Sequence, residues 1–321
     1  RTYLANKVPD VCTNCMRNQQ GYINYFNGKY KVDLREVVKG KSPLSHIKSL
    51  DITPTNECNL DCIMCGYGLV KKSEGKFLES LMDYKFKKQV WGPNEIDEFI
   101  NSVKKISNLD TIILAGGETF VYQSSLAVLN RVKEVKIKNL QLITNGTIVN
   151  QALINTIKSL AEQGVEIVLA FSIDGLYKQY EFIRKGAKFE KVIKNIDVFV
   201  EALKDCVKID FYTAIGIYNA FEAPELHEYL INRYHNIYHT VHFLRVSDPP
   251  VFNMINFPVH IKSELIKLYE EAKRNFPPYL EMGYNEAIKI LNQEGSTEDF
   301  ESFIEVVEKF GRDEFIATFP L

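Results

Sequence analysis

Three thiols fall close together in "ECNLDCIMCGYG" (57–68): Cys58, Cys62 and Cys65. Soft thiolates select zinc or iron–sulfur centres over hard cations. A structural zinc site closes with four ligands, commonly two C-x₂₋₄-C pairs or one pair with two histidines. The run here, C-x₃-C-x₂-C, supplies three sulfurs from one loop. Three sulfurs can hold three corners of an iron–sulfur cubane and leave the fourth iron open for an exchangeable ligand. Spacing alone also admits a zinc ion completed by a distant His46 or Cys206.

Further polar and glycine residues recur at fixed places relative to short apolar runs. Strands are expected at 49–55, 110–116, 139–145, 166–174, 208–216 and 241–247, all β-branched and apolar, as parallel strands buried on both faces are. Helical stripes lie between them at 94–107, with Asn94 as the expected N-cap, and at 150–164, ending at Gly164. Two more follow at 189–205 and 221–234. Strand–helix alternation of this kind predicts parallel βαβ units with right-handed crossovers. Periodicity does not choose between an open sheet and a partly closed barrel.

The candidate residues gather at the C-terminal ends of these strands, where barrel-type α/β folds place their sites. Gly116, Gly117 and Glu118 end the second strand in "AGGET", where absent side chains let backbone carbonyls approach a cation, or simply make a tight turn. Thr144 and Asn145 end the third in "ITNGT", with an Asx-type turn as the plainer reading. Ser172 and Asp174 end the fourth in "FSIDG", on one face by the period of two.

Together, the C-x₃-C-x₂-C loop after a first strand and these strand-end motifs resemble the radical S-adenosylmethionine (SAM) superfamily. The resemblance implies a partial (β/α)6 TIM-like barrel in which Cys58, Cys62 and Cys65 hold a [4Fe–4S] cluster. It implies SAM chelated at the open iron and cleaved reductively to a 5′-deoxyadenosyl radical that abstracts hydrogen from a substrate. Gly116, Gly117 and Glu118 would meet the SAM amino group, and Thr144, Asn145, Ser172 and Asp174 the ribose or methionine end. Arg184, in "YEFIRKGAKFEKVIKNI", would pair with the SAM carboxylate through its guanidinium fork. Ile215 in "TAIGI" and Leu244 in "FLRV" would contact adenine. Met64 stands where many members carry an aromatic, and its polarizable side chain can lie on a purine.

Cys12 and Cys15 form C-x₂-C in "PDVCTNCMRNQQ". The placement resembles members with an N-terminal twitch segment, a shortened SPASM module carrying one auxiliary iron–sulfur cluster. Two thiols do not close a four-iron cluster, so further ligands are expected upstream of Arg1; zinc or no metal are the alternatives. The expected organisation is this segment at 1–47, the barrel at 48–247, and a C-terminal loop with helices near 261–276, 285–293 and 298–310 at 248–321. Cys206, just before the fifth strand, reads as a structural cysteine at the opposite end of the barrel. Histidines 227, 235, 239, 242 and 260 follow no ligand spacing, although His242 is placed to point inward from the sixth strand.

Composition excludes several classes. Lysine plus arginine number 39 against 41 acidic residues, a net charge of −2 that gives no footprint for nucleic acid. The densest basic stretch, 131–139, is interrupted by Glu134 and reads as a solvated helix end. No apolar run approaches the roughly 20 residues of a membrane span. Clustered cysteines in a chain this long indicate a reducing cytoplasm. The expected partners are a reductant such as flavodoxin or ferredoxin and a peptide substrate, which the tyrosine-rich composition suits. A sugar, nucleoside or other small molecule is the alternative substrate, and a zinc-stabilised α/β binding module the alternative class.

Overall fold

The computed structural model describes residues 47–65, 88–237, 239–246 and 250–318. Its described strands form one parallel sheet in sequential order: β1 (Ser49–Ile52), β2 (Thr111–Leu114), β3 (Asn139–Thr144), β4 (Glu166–Ser172), β5 (Lys208–Ile215) and β6 (His239–Arg245). The crossovers carry α1 (Pro93–Val103), α2 (Gln123–Arg131), α3 (Gln151–Glu162), α4 (Tyr177–Ile183), α5 (Phe189–Leu203) and α6 (Ala223–Arg233). β1 and β6 are the two edges, so the barrel is partial rather than closed.

The sheet has two unlike faces. On β3, Leu140, Leu142 and Thr144 are buried while Asn139, Gln141 and Ile143 are half-buried. The buried face meets the helices: Phe171 of β4 packs on Phe199 of α5 at 5.6 Å, and Phe211 of β5 stacks on Tyr234 after α6 at 4.9 Å. The half-buried face is the concave inside of the half-barrel.

Local chemistry explains the boundaries. Asn150 caps α3 by accepting from the Leu153 amide at 2.9 Å, and Gly164 takes φ +86° where the helix stops. Asn94 does not cap α1. The helix begins at Pro93, whose missing N–H costs nothing there, and Glu95 accepts from the Gly92 amide at 3.0 Å. Helix α2 carries a weak apolar stripe because serines sit on its buried face; Ser124 donates to the Trp91 carbonyl at 2.7 Å. The basic stretch after it is indeed an exposed helix end, with Glu134 accepting from Arg131 and Lys104.

After β6 the chain makes two short 3₁₀ turns (Pro250–Phe252 and Met254–Asn256), then α7 (Val259–Ala272), α8 (Pro278–Leu291) and α9 (Thr297–Thr318). Helix α8 packs against β6 so closely that a Cβ on Gly283 would lie 2.6 Å from Phe243 Cβ. Tyr269, Tyr284, Phe276 and Phe243 interlock there, with His227 of α6 hydrogen-bonded between Thr213 and Tyr284. Tyr180, Tyr218, Tyr269 and Tyr284 are fully buried core residues, whereas Tyr177 is exposed. Among the described residues no helix is long and apolar enough to cross a membrane.

Candidate active site

Beyond Ile52 the chain leaves the sheet and docks on the end of β2. The Gly117 and Glu118 amides donate to the carbonyls of Thr55 and Glu57, both at 2.9 Å. A Cβ on Gly117 would lie 1.8 Å from the Glu57 oxygen, and one on Gly116 (φ +123°) 2.4 Å from Thr53 Cγ2. The glycine pair was expected to admit a ligand; the close approach it permits here is that of the chain's own backbone. From the other side, residues 88–91 pair with 53–56, through Asn56 N–H to the Gln89 carbonyl and Trp91 N–H to the Pro54 carbonyl.

The cysteine loop that follows is pinned a second time. Asp61 and Ile63 amides donate to the carbonyls of Lys185 and Ile183, both at 2.9 Å. This docking brings Arg184, at the end of α4, to the thiol of Cys62. Cys62 is buried, and burial lifts its pKa well above the ordinary thiol range, against the pull of Arg184 and with the push of Cys65 and Cys58. Burial likewise raises Cys58, opposed by the Leu60 amide and by Arg184. Met64 is half-buried between the second and third thiols.

Three buried carboxylate and guanidinium groups complete the floor. Glu118 accepts from Thr144 Oγ1 at 2.5 Å, the Phe120 amide at 3.1 Å and the Asn145 amide at 2.7 Å; burial raises its pKa and these bonds oppose the rise. Asp174 is fully buried, accepts from the Ala214 amide at 2.7 Å and pairs with Arg184 at 2.7 Å. Burial alone would favour a neutral Arg184, yet Asp174, Cys62 and Tyr180 hold it charged. The Arg184 Nε and the Tyr180 hydroxyl are buried without a hydrogen-bond partner.

Several expected contacts are thereby redefined. Thr144 donates to Glu118 and accepts from the Gly146 amide, so its hydroxyl is used inside the protein. Asn145 makes the Asx-type turn to Thr147 and also turns its carboxamide to Asn59 at 2.9 Å and Cys58 Sγ at 3.8 Å. Ser172 is half-buried on the concave face, but Asp174 has turned inward under the loop after β4. Ile215 shares the parity of Thr213, which faces α6 through His227, so it is buried toward the helix layer. Leu244 stands opposite Ala214 in the β5–β6 register, and its side chain lies outside the described atoms. Cys12, Cys15 and His46 lie outside the described residues.

Cys206 is exposed on the turn before β5, at the opposite end of a parallel sheet from the cysteine loop. It is neither a buried structural cysteine nor within reach of the three thiols. Among the described residues no three His, Cys, Asp or Glu side chains converge on a single-ion position. A tetrahedral zinc would draw sulfurs to roughly 4 Å of one another.

Sequence reasoning missed Asn219, whose carboxamide accepts from the Gly216 amide and donates to the Asp174 carbonyl at 2.7 Å. It also missed Asn59 and Tyr180. A polar residue three positions after Gly216 was the available signal for the first. Nothing local marks the other two.

The fold and site together define an α/β protein of open, parallel half-barrel form, with three thiols on its first loop above a buried Glu–Arg–Asp floor. Residues 52–230 match the Radical SAM superfamily, and the chain belongs to it. It is an enzyme of that superfamily. The chain is 26% identical over 184 residues to a probable GTP 3',8-cyclase of Methanocaldococcus jannaschii, covering 57% of this chain and 55% of that one. The counterpart in Methanothermobacter thermautotrophicus is 23% identical over 184 residues, 57% and 53% of the two chains. The match thus spans about half the length of these relatives. Among solved structures, Streptococcus suis SuiB bound to precursor peptide SuiA superposes with TM-score 0.50 at 18% identity, over 79% of this chain and 55% of that one. A hexahistidine-tagged anSMEcpe with bound AdoMet gives 0.50 at 17%, over 74% and 60%. Identities this low establish the fold alone.

Proposed function

We propose that this enzyme binds a [4Fe–4S] cluster through Cys58, Cys62 and Cys65 and cleaves SAM reductively to start hydrogen abstraction from a substrate. Cys58, Cys62 and Cys65 would hold the cluster, which when bound would supply the electron for cleaving a SAM C–S bond to methionine and a 5′-deoxyadenosyl radical. The observation that carries the reading is the cysteine loop itself, held by backbone hydrogen bonds to the ends of β2 and α4.

The residues around it suit the two groups. Arg184 faces Cys62 and favours its thiolate, the form that ligates iron. Glu118 and Asp174 outnumber Arg184 in buried charge, which an ammonium or sulfonium would offset. The unpaired Arg184 Nε suits a carboxylate oxygen as acceptor. Asn145 holds Cys58, and Thr144 holds Glu118, so we assign both as positioning residues for the cluster loop. Cys12 and Cys15 are assigned to an auxiliary cluster, with a flavodoxin or ferredoxin as cytoplasmic reductant.

The test is anaerobic reconstitution with iron and sulfide, then dithionite and SAM, with 5′-deoxyadenosine measured. Product is expected from the native chain and none from the Cys58→Ala/Cys62→Ala/Cys65→Ala variant. A fully loaded cluster that binds SAM and yields no product would overturn the assignment. Iron beyond one cluster per chain, lost on Cys12→Ala/Cys15→Ala, would support the auxiliary site.

A further inference from the structure

The Tyr180 hydroxyl is buried, has no hydrogen-bond partner among the described residues, and has no part in the site as described so far. Buried hydroxyls are nearly always paired, so one left over asks for an acceptor that the polypeptide does not provide. Helix α4 fixes which way this residue faces. The Tyr180 carbonyl accepts from the Arg184 amide at 2.8 Å, so the two residues stand one turn apart on one face of the helix. Phe189 of α5 meets the Tyr180 ring edge-on at 5.6 Å and holds one flank of it.

The cysteine loop docks on the end of the same helix. The residues on either side of Cys62 both donate backbone N–H groups there, Asp61 to the Lys185 carbonyl and Ile63 to the Ile183 carbonyl, each at 2.9 Å. Cys62 is thereby held against α4 with its side chain buried. Burial does most to raise the pKa of the Tyr180 hydroxyl, and so keeps its proton in place. Of the charges acting on it Arg184 is the strongest and Cys62 comes next, ahead of Asp174 and Glu118.

The other acceptors nearby are already engaged. Glu118 accepts from Thr144 and from the Phe120 and Asn145 amides. Asp174 accepts from the Ala214 amide and pairs with Arg184. Cys58 Sγ accepts from the Leu60 amide at 3.4 Å and from Asn145 Nδ2 at 3.8 Å.

We propose, on the cluster assignment above, that the Tyr180 hydroxyl donates a hydrogen bond to the Cys62 thiolate of the loaded enzyme and thereby raises the reduction potential of the centre. A neutral thiol is a weak acceptor, and the thiolate that ligates iron is a strong one. A donor on a ligand sulfur withdraws electron density from it, which favours the state carrying one more electron. Tyr180 acts through Cys62, so it is a positioning residue and makes no contact with substrate.

The experiment is a redox titration of the reconstituted full chain, followed by electron paramagnetic resonance in the absence of SAM. Tyr180→Phe keeps the ring against Phe189 and removes only the oxygen. It is expected to load as much iron as the native chain and to titrate about 59 mV lower, the one-electron equivalent of a tenfold loss in the reduction equilibrium. Tenfold is the usual order for one hydrogen bond to a charged group. Should Tyr180→Phe load too little iron to titrate, Tyr180→Leu carries the same measurement. Loss of iron from both variants, with circular dichroism unchanged, would make Tyr180 a packing residue of the loop and overturn the proposal. An unmoved SAM-free midpoint would overturn it as well, including the case in which only SAM affinity falls, since the acceptor would then be SAM. A native chain that loads no four-iron cluster ends the cluster assignment itself, whereas a loaded cluster with an unmoved midpoint ends the Tyr180 proposal alone.

Discussion

Asp174 and Arg184 end two different elements and meet in one buried ion pair under the cysteine loop. Removing one partner leaves an uncompensated charge in the interior, which typically costs about 3–5 kcal/mol. Asp174→Asn is therefore expected to lower the free energy of urea unfolding by that amount; a loss under about 1 kcal/mol would show the pair to be solvated. His227 is a second residue with a calculable effect. Burial holds its pKa down to about 3 from 6.5, so the native state refuses a proton that the unfolded chain accepts. The stability it contributes is full above pH 6.5 and is lost as pH falls toward 3. Across that window the slope attributable to it is about 1.4 kcal/mol per pH unit. His227→Gln, which keeps hydrogen-bonding capacity without titrating, should flatten the acid limb of the unfolding free energy by that one proton. Identical limbs in both proteins would rule this account out.

At the scale of elements, the loop is set by two dockings, on β2 through Gly117 and on α4 through the carbonyls of Ile183 and Lys185. Gly117→Ala puts a methyl where the Glu57 oxygen lies, so residues 55–58 must shift. Reconstituted iron per chain is expected to fall severalfold with circular dichroism unchanged. Gly164→Ala is the control: its φ of +86° brings strain of about 1 kcal/mol, yet a Cβ there meets nothing within 4 Å. If both variants load iron equally, the glycine pair has no part in shaping the loop. The "AGGET" motif was legible in the sequence; its partner was not, because Thr53–Glu57 reach it only when β1 and β2 pair.

For the whole molecule, α7 and α8 close over β6 and lock it through Gly283, Phe243, Tyr269 and Tyr284. Barrel and C-terminal helices are then expected to unfold as one unit, with near- and far-ultraviolet circular dichroism giving coincident urea transitions. Gly283→Val overpacks that seam, at a cost of about 1–3 kcal/mol, and should lower both probes together. A far-ultraviolet transition that moves alone would mean the helices fold apart from the sheet.

The chain alone determined the βαβ rhythm, the three thiols and the places where strands end, because these follow from local period, turn chemistry and spacing. Six strand positions and the polar residues at their ends needed no tertiary information. Tertiary structure decided what each of those residues touches. Thr144 binds Glu118 instead of facing open space, Arg184 is held by Asp174, and Ile215 turns to the helices. It also assembled Asp210, Tyr212 and His242 into one polar cluster with Gln141. Parallel register across three strands brings these residues together, and no pattern within one strand encodes which neighbour will stand at its height.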